Sequence, residues 1–130
     1  KVSKAASLSP ASAIDDPVVA AATIITSIST DESLLSPDRE RAIRTQLQSI
    51  ADDHKVEEAL IYAKWACNQV PEASVVIDIA AKFLQPRLSD AEKLGFVDMI
   101  QVAIPEGIRP AAFSNLMIRL ERKLGMPGEL

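Results

Sequence analysis

Few side chains in this sequence have intrinsic reactivity, and they are scattered. It carries one cysteine, Cys67, and one histidine, His54. A single thiol closes no intrachain disulfide, so nothing marks an oxidising compartment. One Cys and one His cannot supply a closed zinc site. His54 stands in "ADDHK" beside Asp52 and Asp53, a stretch that reads as an interhelical loop. General acid–base catalysis there needs a partnered nucleophile, and the neighbouring sequence offers none. Cys67 falls on the apolar stripe of a predicted helix, where no electropositive, accessible setting would favour a thiolate. Asp78 interrupts the apolar run "EASVVIDIAAKFL" and could be a buried acid with a raised pKa. Lys82 follows four residues later in the favourable order for an ion pair, so Asp78 is expected to mark that helix's solvent-facing stripe. Trp65 and Tyr62 share a predicted helix. Core packing is the default for both, with Trp65 the alternative anchor for a protein partner. The sequence has no phosphate-cradling glycine loop, nucleophile–base set or carboxylate pair at catalytic spacing, so no enzyme is expected.

The totals bound the scaffold that must position these groups. A chain of 130 residues is one domain by ordinary size. Hydrophobic residues make up 48% but aromatics only 4%, so the core must be built from Ala, Val, Ile and Leu. With only four glycines and long apolar-periodic segments, the expected class is all-α, a single-domain bundle of about six helices. No apolar run approaches the ~18 residues of a membrane span, so no membrane insertion is expected. The formal charge of −4 argues against nucleic acid, because phosphate neutralisation needs a basic surface. The start at Lys1 rather than Met reads as a fragment or a processed chain. The opening "KVSKAASLSPASA" reads as a flexible leader, residues 1–13, into a domain from 14 to 130. Cytoplasm is the default compartment.

Caps and breakers place the helices. The first is predicted from Pro17 to Ser29, with Asp16 as N-cap and Val18, Ala21, Ala22, Ile25 and Ile28 as its stripe. "SPDRE" opens the second with Ser36 as cap, burying Ile43, Leu47 and Ile50 and turning Arg39, Arg41, Arg44 and Gln48 toward solvent. A third is expected from about Val56 to Gln69, with Asp53 as its start signal. The fourth is apolar nearly all round and is expected in the middle of the bundle. Ser89 and Glu92 form a capping box for the fifth, ending near Ala103. The sixth is expected from Pro110, with Gly125 as its stop.

One pattern occurs twice. "SISTDESLLSPDRERAI" and "AIPEGIRPAAFSNLMIRLERKLGM" each run from a helix end through a polar turn to an aliphatic residue, a proline start and a helix. Two such units suggest pseudo-symmetric helix–turn–helix halves. The pair of turns resembles the TerB-like, tellurite-resistance-associated family of helical domains, over roughly residues 17–126. The family pattern is a helix end, an Asp-Gly turn, an aliphatic residue, a Ser/His-Pro start and an acid in the following helix. The resemblance implies that the turn acids contact a divalent metal such as Ca²⁺ or Mg²⁺, hard cations that need converging oxygens. Asp31, Glu32 and Asp38 would supply them in the first turn. In the second, Pro105 and Ala112 stand where the acids belong, and only Glu106 is nearby.

The expected function is therefore a non-catalytic interaction module of TerB-like plan, without cofactor, that binds a protein partner. Its candidate surfaces are the two turns, with Glu106 and Arg109 in the second, together with Trp65. The alternative is a divalent-cation sensor that uses Asp31, Glu32 and Asp38. The last two helices also imitate a DNA-reading motif through Arg109, Arg119, Arg122 and Lys123. Recognition helices read bases with their N-terminal residues, here Pro110, Ala111 and Ala112, so nucleic acid is discounted.

Overall fold

Four helices begin at a side chain that accepts their open amides, which is why the chain turns helical at those points. The computed structural model describes residues 14–30 and 35–126, and six α-helices occur among them. Asp16 Oδ1 accepts from the amides of Val18 (2.8 Å) and Val19 (3.2 Å), opening α1 (Pro17–Ser29). Ser36 Oγ accepts from Arg39 N at 3.1 Å and opens α2 (Pro37–Leu47). Asp52 accepts from Lys55 N at 2.8 Å and opens α3 (Asp53–Gln69). After α4 (Ala73–Leu84), the Ser89–Glu92 capping box opens α5 (Asp90–Ala103), as its spacing predicts. A 3₁₀ turn (Glu106–Ile108) leads to α6 (Phe113–Lys123). Gly125, at φ +76°, ends α6. Its amide donates to Arg122 O and the Met126 amide to Glu121 O, both at 3.0 Å, the paired bonds of a Schellman stop.

Two boundaries differ from expectation. Helix α3 starts earlier because Asp52, rather than Asp53, is the cap. Helix α6 starts at Phe113 because Pro110 opens a single tight turn, with the Phe113 amide on the Pro110 carbonyl at 3.0 Å.

The centre of the bundle is α1 rather than α4. Ten consecutive residues of α1, Ala20–Ser29, are buried, and α1 packs mainly against α3 and α4, with α2 alongside. Helix α4 buries Val76, Ile77, Ala80, Ala81 and Leu84 but leaves Val75 and Lys82 exposed. The sequence points to α4 because that segment reads as apolar nearly all round. Burial of the small residues and hydroxyls of α1 depends on neighbours brought from far along the chain. The hydroxyls of Thr23 and Ser27 bond back to the α1 carbonyls of Val19 (2.7 Å) and Ile24 (2.9 Å), so they can be buried without facing water.

The remaining helices clamp this centre. Helix α6 packs principally on α4, and α5 on α2, so the two helix–turn–helix units are seated differently. Asp78 of α4 receives Arg119 of α6 in a two-pronged pair, both contacts 2.7 Å. Lys82 is therefore not its partner. The correct partner lay on another helix, beyond any local spacing rule. Glu40 of α2 receives Arg44 at 2.8 Å and Lys64 of α3 at 3.2 Å, and Arg44 also pairs with Glu57 of α3. Ile50, expected in the core, is 49% exposed. Helix α2 has ended at Leu47, and Gln48–Ile50 form a turn that no longer follows helical spacing. No helix among the described residues is long and apolar enough to cross a membrane.

If α1 is the centre, Ile25→Ala leaves a cavity the bundle cannot collapse and costs about 2–5 kcal/mol, whereas Val75→Ala stays within about 0.5 kcal/mol. Urea unfolding of both variants measures this. Equal effects at the two sites would contradict the burial pattern.

Candidate functional site

One arginine links the end of α1 to the 3₁₀ turn. Arg39, predicted to face solvent, reaches back from α2 instead. It donates to Ser29 O at 2.8 Å and to Ile108 O at 3.3 Å, tying the end of α1 to the 3₁₀ turn. Asp31 and Glu32 lie outside the described residues. Asp38 sits in the first turn of α2 with its side chain 89% exposed, paired to Arg41 at 2.8 Å. Among the described residues, no three His, Cys, Asp or Glu side chains converge in a way that could hold a metal. Glu106 is exposed in the 3₁₀ turn. Arg109 donates to Ile104 O at 2.8 Å and Gln101 O at 3.4 Å and lies 4.3 Å over the Phe113 ring. Its guanidinium thus caps the open carbonyls at the end of α5 and links them to α6.

The other reactive candidates are spread over α3 and α4. His54 is in the first turn of α3, not in a loop, and is exposed. The Cys67 thiol donates to Thr23 O at 3.6 Å, and burial pushes its pKa up to about 12. It borders a small cavity of about 290 Å³ with Thr26, Lys64 and Asn68, but a thiol so reluctant to ionise is a poor nucleophile. Trp65 is 51% exposed rather than in the core. It meets Tyr62 edge-on at 5.6 Å, with Ile61 exposed one turn earlier. Sequence spacing put Val56, Leu60 and Ala63 on the buried face of α3, and they are buried there. Trp65 falls on the opposite side.

A larger feature escaped sequence reasoning altogether. An open groove of about 550 Å³ runs between the N-terminal turn of α1, the end of α2 and the outer face of α5. Val18 and Ala21 form one wall, the exposed Ile50 stands at the α2 end, and Leu84 and Leu88 close the α4 end. Along α5 the lining runs from Glu92 through Gly95, Phe96 and Met99 to Val102, and Val102 is 61% exposed. Gly95 is the detectable signal. Its backbone φ is not positive, and a Cβ built on it would meet nothing within 4 Å. A mid-helix glycine costs about 1 kcal/mol relative to alanine, and no described residue comes close enough to require it there.

No protein-family model matches the chain, and neither a curated protein nor a solved structure matches it.

Two titrations follow from this geometry. Hydrogen bonds from Arg119 hold the Asp78 pKa below the ordinary 3.8, against the opposing effect of burial. At Asp16, burial raises the pKa, but the Lys55 hydrogen bond and the Val19 and Val18 amides together outweigh it, and the net shift is down. A lowered carboxylate pKa contributes stability that is fully present above the unfolded value. That stability is lost as pH falls through the folded value. Urea titrations from about pH 6 to about pH 2 should show a shallower acid loss for Asp78→Asn than for the parent chain, and an unchanged slope would refute the shift. For Cys67, DTNB at pH 8 should label the native thiol about a thousand-fold more slowly than the urea-unfolded thiol. Comparable rates would mean the thiol is not held in its protonated form.

Proposed function

We propose that this chain is a non-catalytic protein-interaction domain that docks its partner in the groove between α1, α2 and α5. The observation that carries this reading is the apolar lining around Gly95, where the backbone of α5 is left open to close approach. Ile50 and Val102, both large, apolar and exposed, stand along the same groove. Exposed apolar surface gathered into one concave strip is a feature of docking sites, unlike isolated surface hydrophobics.

The volume alone would also suit a small molecule, but such sites place a few polar groups to orient the ligand. Here the polar lining is Glu92, engaged with the Ser89 amide at 2.8 Å, Asp98 on α5, and Gln46 and Ser49 at the α2 end, none of them buried. The two buried hydroxyls without a hydrogen bond, Thr26 and Ser29, lie at the other end of α1. A protein face needs no such orienting set. The TerB-like plan fits as a scaffold whose second turn has exchanged its acids for Pro105 and Ala112, with Arg39 and Arg109 holding the turns. The cation-binding alternative gains no support from Asp38, whose carboxylate lies against Arg41.

Gly95→Trp fills the groove from a position with free space, so it should leave the fold intact. Co-purification from native lysate is compared for the parent chain, Gly95→Trp and Trp65→Ala. The expected result is a partner retained by the parent and Trp65→Ala but lost with Gly95→Trp. Retention by Gly95→Trp would exclude the groove. Loss only with Trp65→Ala would move the site to α3.

A further inference from the structure

We infer that the occupant of this groove is a partner's amphipathic helix, with an apolar residue set against Gly95 and lysine or arginine about one turn to either side. The inference rests on the docking reading and gives the partner its chemistry. Two observations carry it. The first is charge. Among the described residues lining the groove, the only titratable side chains are Glu92 and Asp98. Both are acidic. Glu92 caps its own helix, and Asp98 is exposed along the groove, with no side-chain ion pair or hydrogen bond to another described residue. An apolar strip edged only by carboxylates attracts cationic flanks and repels the headgroup of a fatty acid or an acidic helix.

The second observation is spacing. Glu92, Gly95 and Asp98 follow at intervals of three on α5, so the glycine lies on one stripe between the two carboxylates. With no side chain at Gly95, a partner's backbone can come close to α5 there, and its flanking cations then stand near an acid in each direction. The lining of α5 from Glu92 to Val102 spans about 15 Å, room for about three turns of helix with anchors at i, i+3, i+4 and i+7. A second copy of this chain is a weaker occupant. Its exposed Ile118, with Arg122 and Lys123 on α6, would make a head-to-tail contact, which builds a ring or an open filament and not the common two-fold dimer.

The test uses two capped, fluorescein-labelled peptides of about 14 residues. Each has a leucine stripe, edged by lysine in one and by glutamate in its twin. Binding is read by anisotropy and located by amide shifts in the ¹⁵N-labelled chain, with its mass checked in solution. The expected result is binding of the lysine peptide with shifts on α5 and the start of α1, and no binding of the glutamate twin. Asp98→Lys and Gly95→Trp should each weaken it about tenfold or more, while Glu106→Lys, the same charge change at the remote 3₁₀ turn, should not. Equal weakening by Glu106→Lys, or shifts elsewhere, would show nonspecific attraction to an acidic protein and overturn the inference. Binding of both peptides, with both blocked by Gly95→Trp, would overturn the cationic preference but keep the docking reading. Binding of neither, with concentration-dependent growth in mass abolished by Gly95→Trp, would assign the groove to a second copy. Binding of neither without self-association would overturn the helical partner, leaving the docking reading to the co-purification result.

Discussion

The structure depends on removing all but the first turn of one helix from water. From Ala20 to Ser29 every residue of α1 is buried, a condition no amphipathic helix could meet. The alanines let α3 and α4 approach closely, and Ile24, Ile25 and Ile28 fill the space between them. The cost is that hydroxyls are buried as well. Those of Thr23 and Ser27 return to carbonyls of α1 itself, which lets the helix satisfy its own polar atoms. Among the described residues, Thr26 and Ser29 find no such bond within the protein, and a buried hydroxyl left without any partner costs about 1–3 kcal/mol. The surrounding apolar contacts must exceed that loss.

A buried centre of this kind needs helices on every side, and the chain covers it unevenly. Helices α3 and α4 lie along α1, and α6 is held on α4 by the Asp78–Arg119 pair. At the N-terminal turn of α1 the cover is thinner. Helix α2 has already ended at Leu47, and α5 passes with a glycine where a side chain would have filled the gap. The groove is therefore a consequence of how the bundle closes around α1. Its acidic edge comes from residues that also open and solvate α5.

The polar ties divide by the distance over which they act. Asp16, Ser36, Asp52 and the Ser89–Glu92 box each act within three residues and decide where helices begin. Arg39 and Arg119 act across helices. Arg39 ties the end of α1 to the 3₁₀ turn, although α5 and α6 pack on different partners. Lys55 does both kinds of work: its amide completes the Asp52 cap, and its ammonium reaches Asp16 at 2.8 Å.

What the sequence by itself determined is what a few adjacent residues can decide. It was enough for the all-helical class, the capping box at Ser89, the stop at Gly125 and the inner stripe of α3, because capping and helical periodicity are satisfied within one or two turns. It also contained Gly95 in plain view, but a lone glycine becomes meaningful only once the space beyond its Cα is known. Only the tertiary structure decided that α1 is the centre and not α4, since burial is a property of neighbours. It alone matched Asp78 with Arg119 instead of Lys82, turned Trp65 outward, and used Arg39 as a tie from the end of α1 to the 3₁₀ turn. Each of these depends on groups distant in sequence arriving at one place, and on three-dimensional closure leaving one strip of apolar surface uncovered.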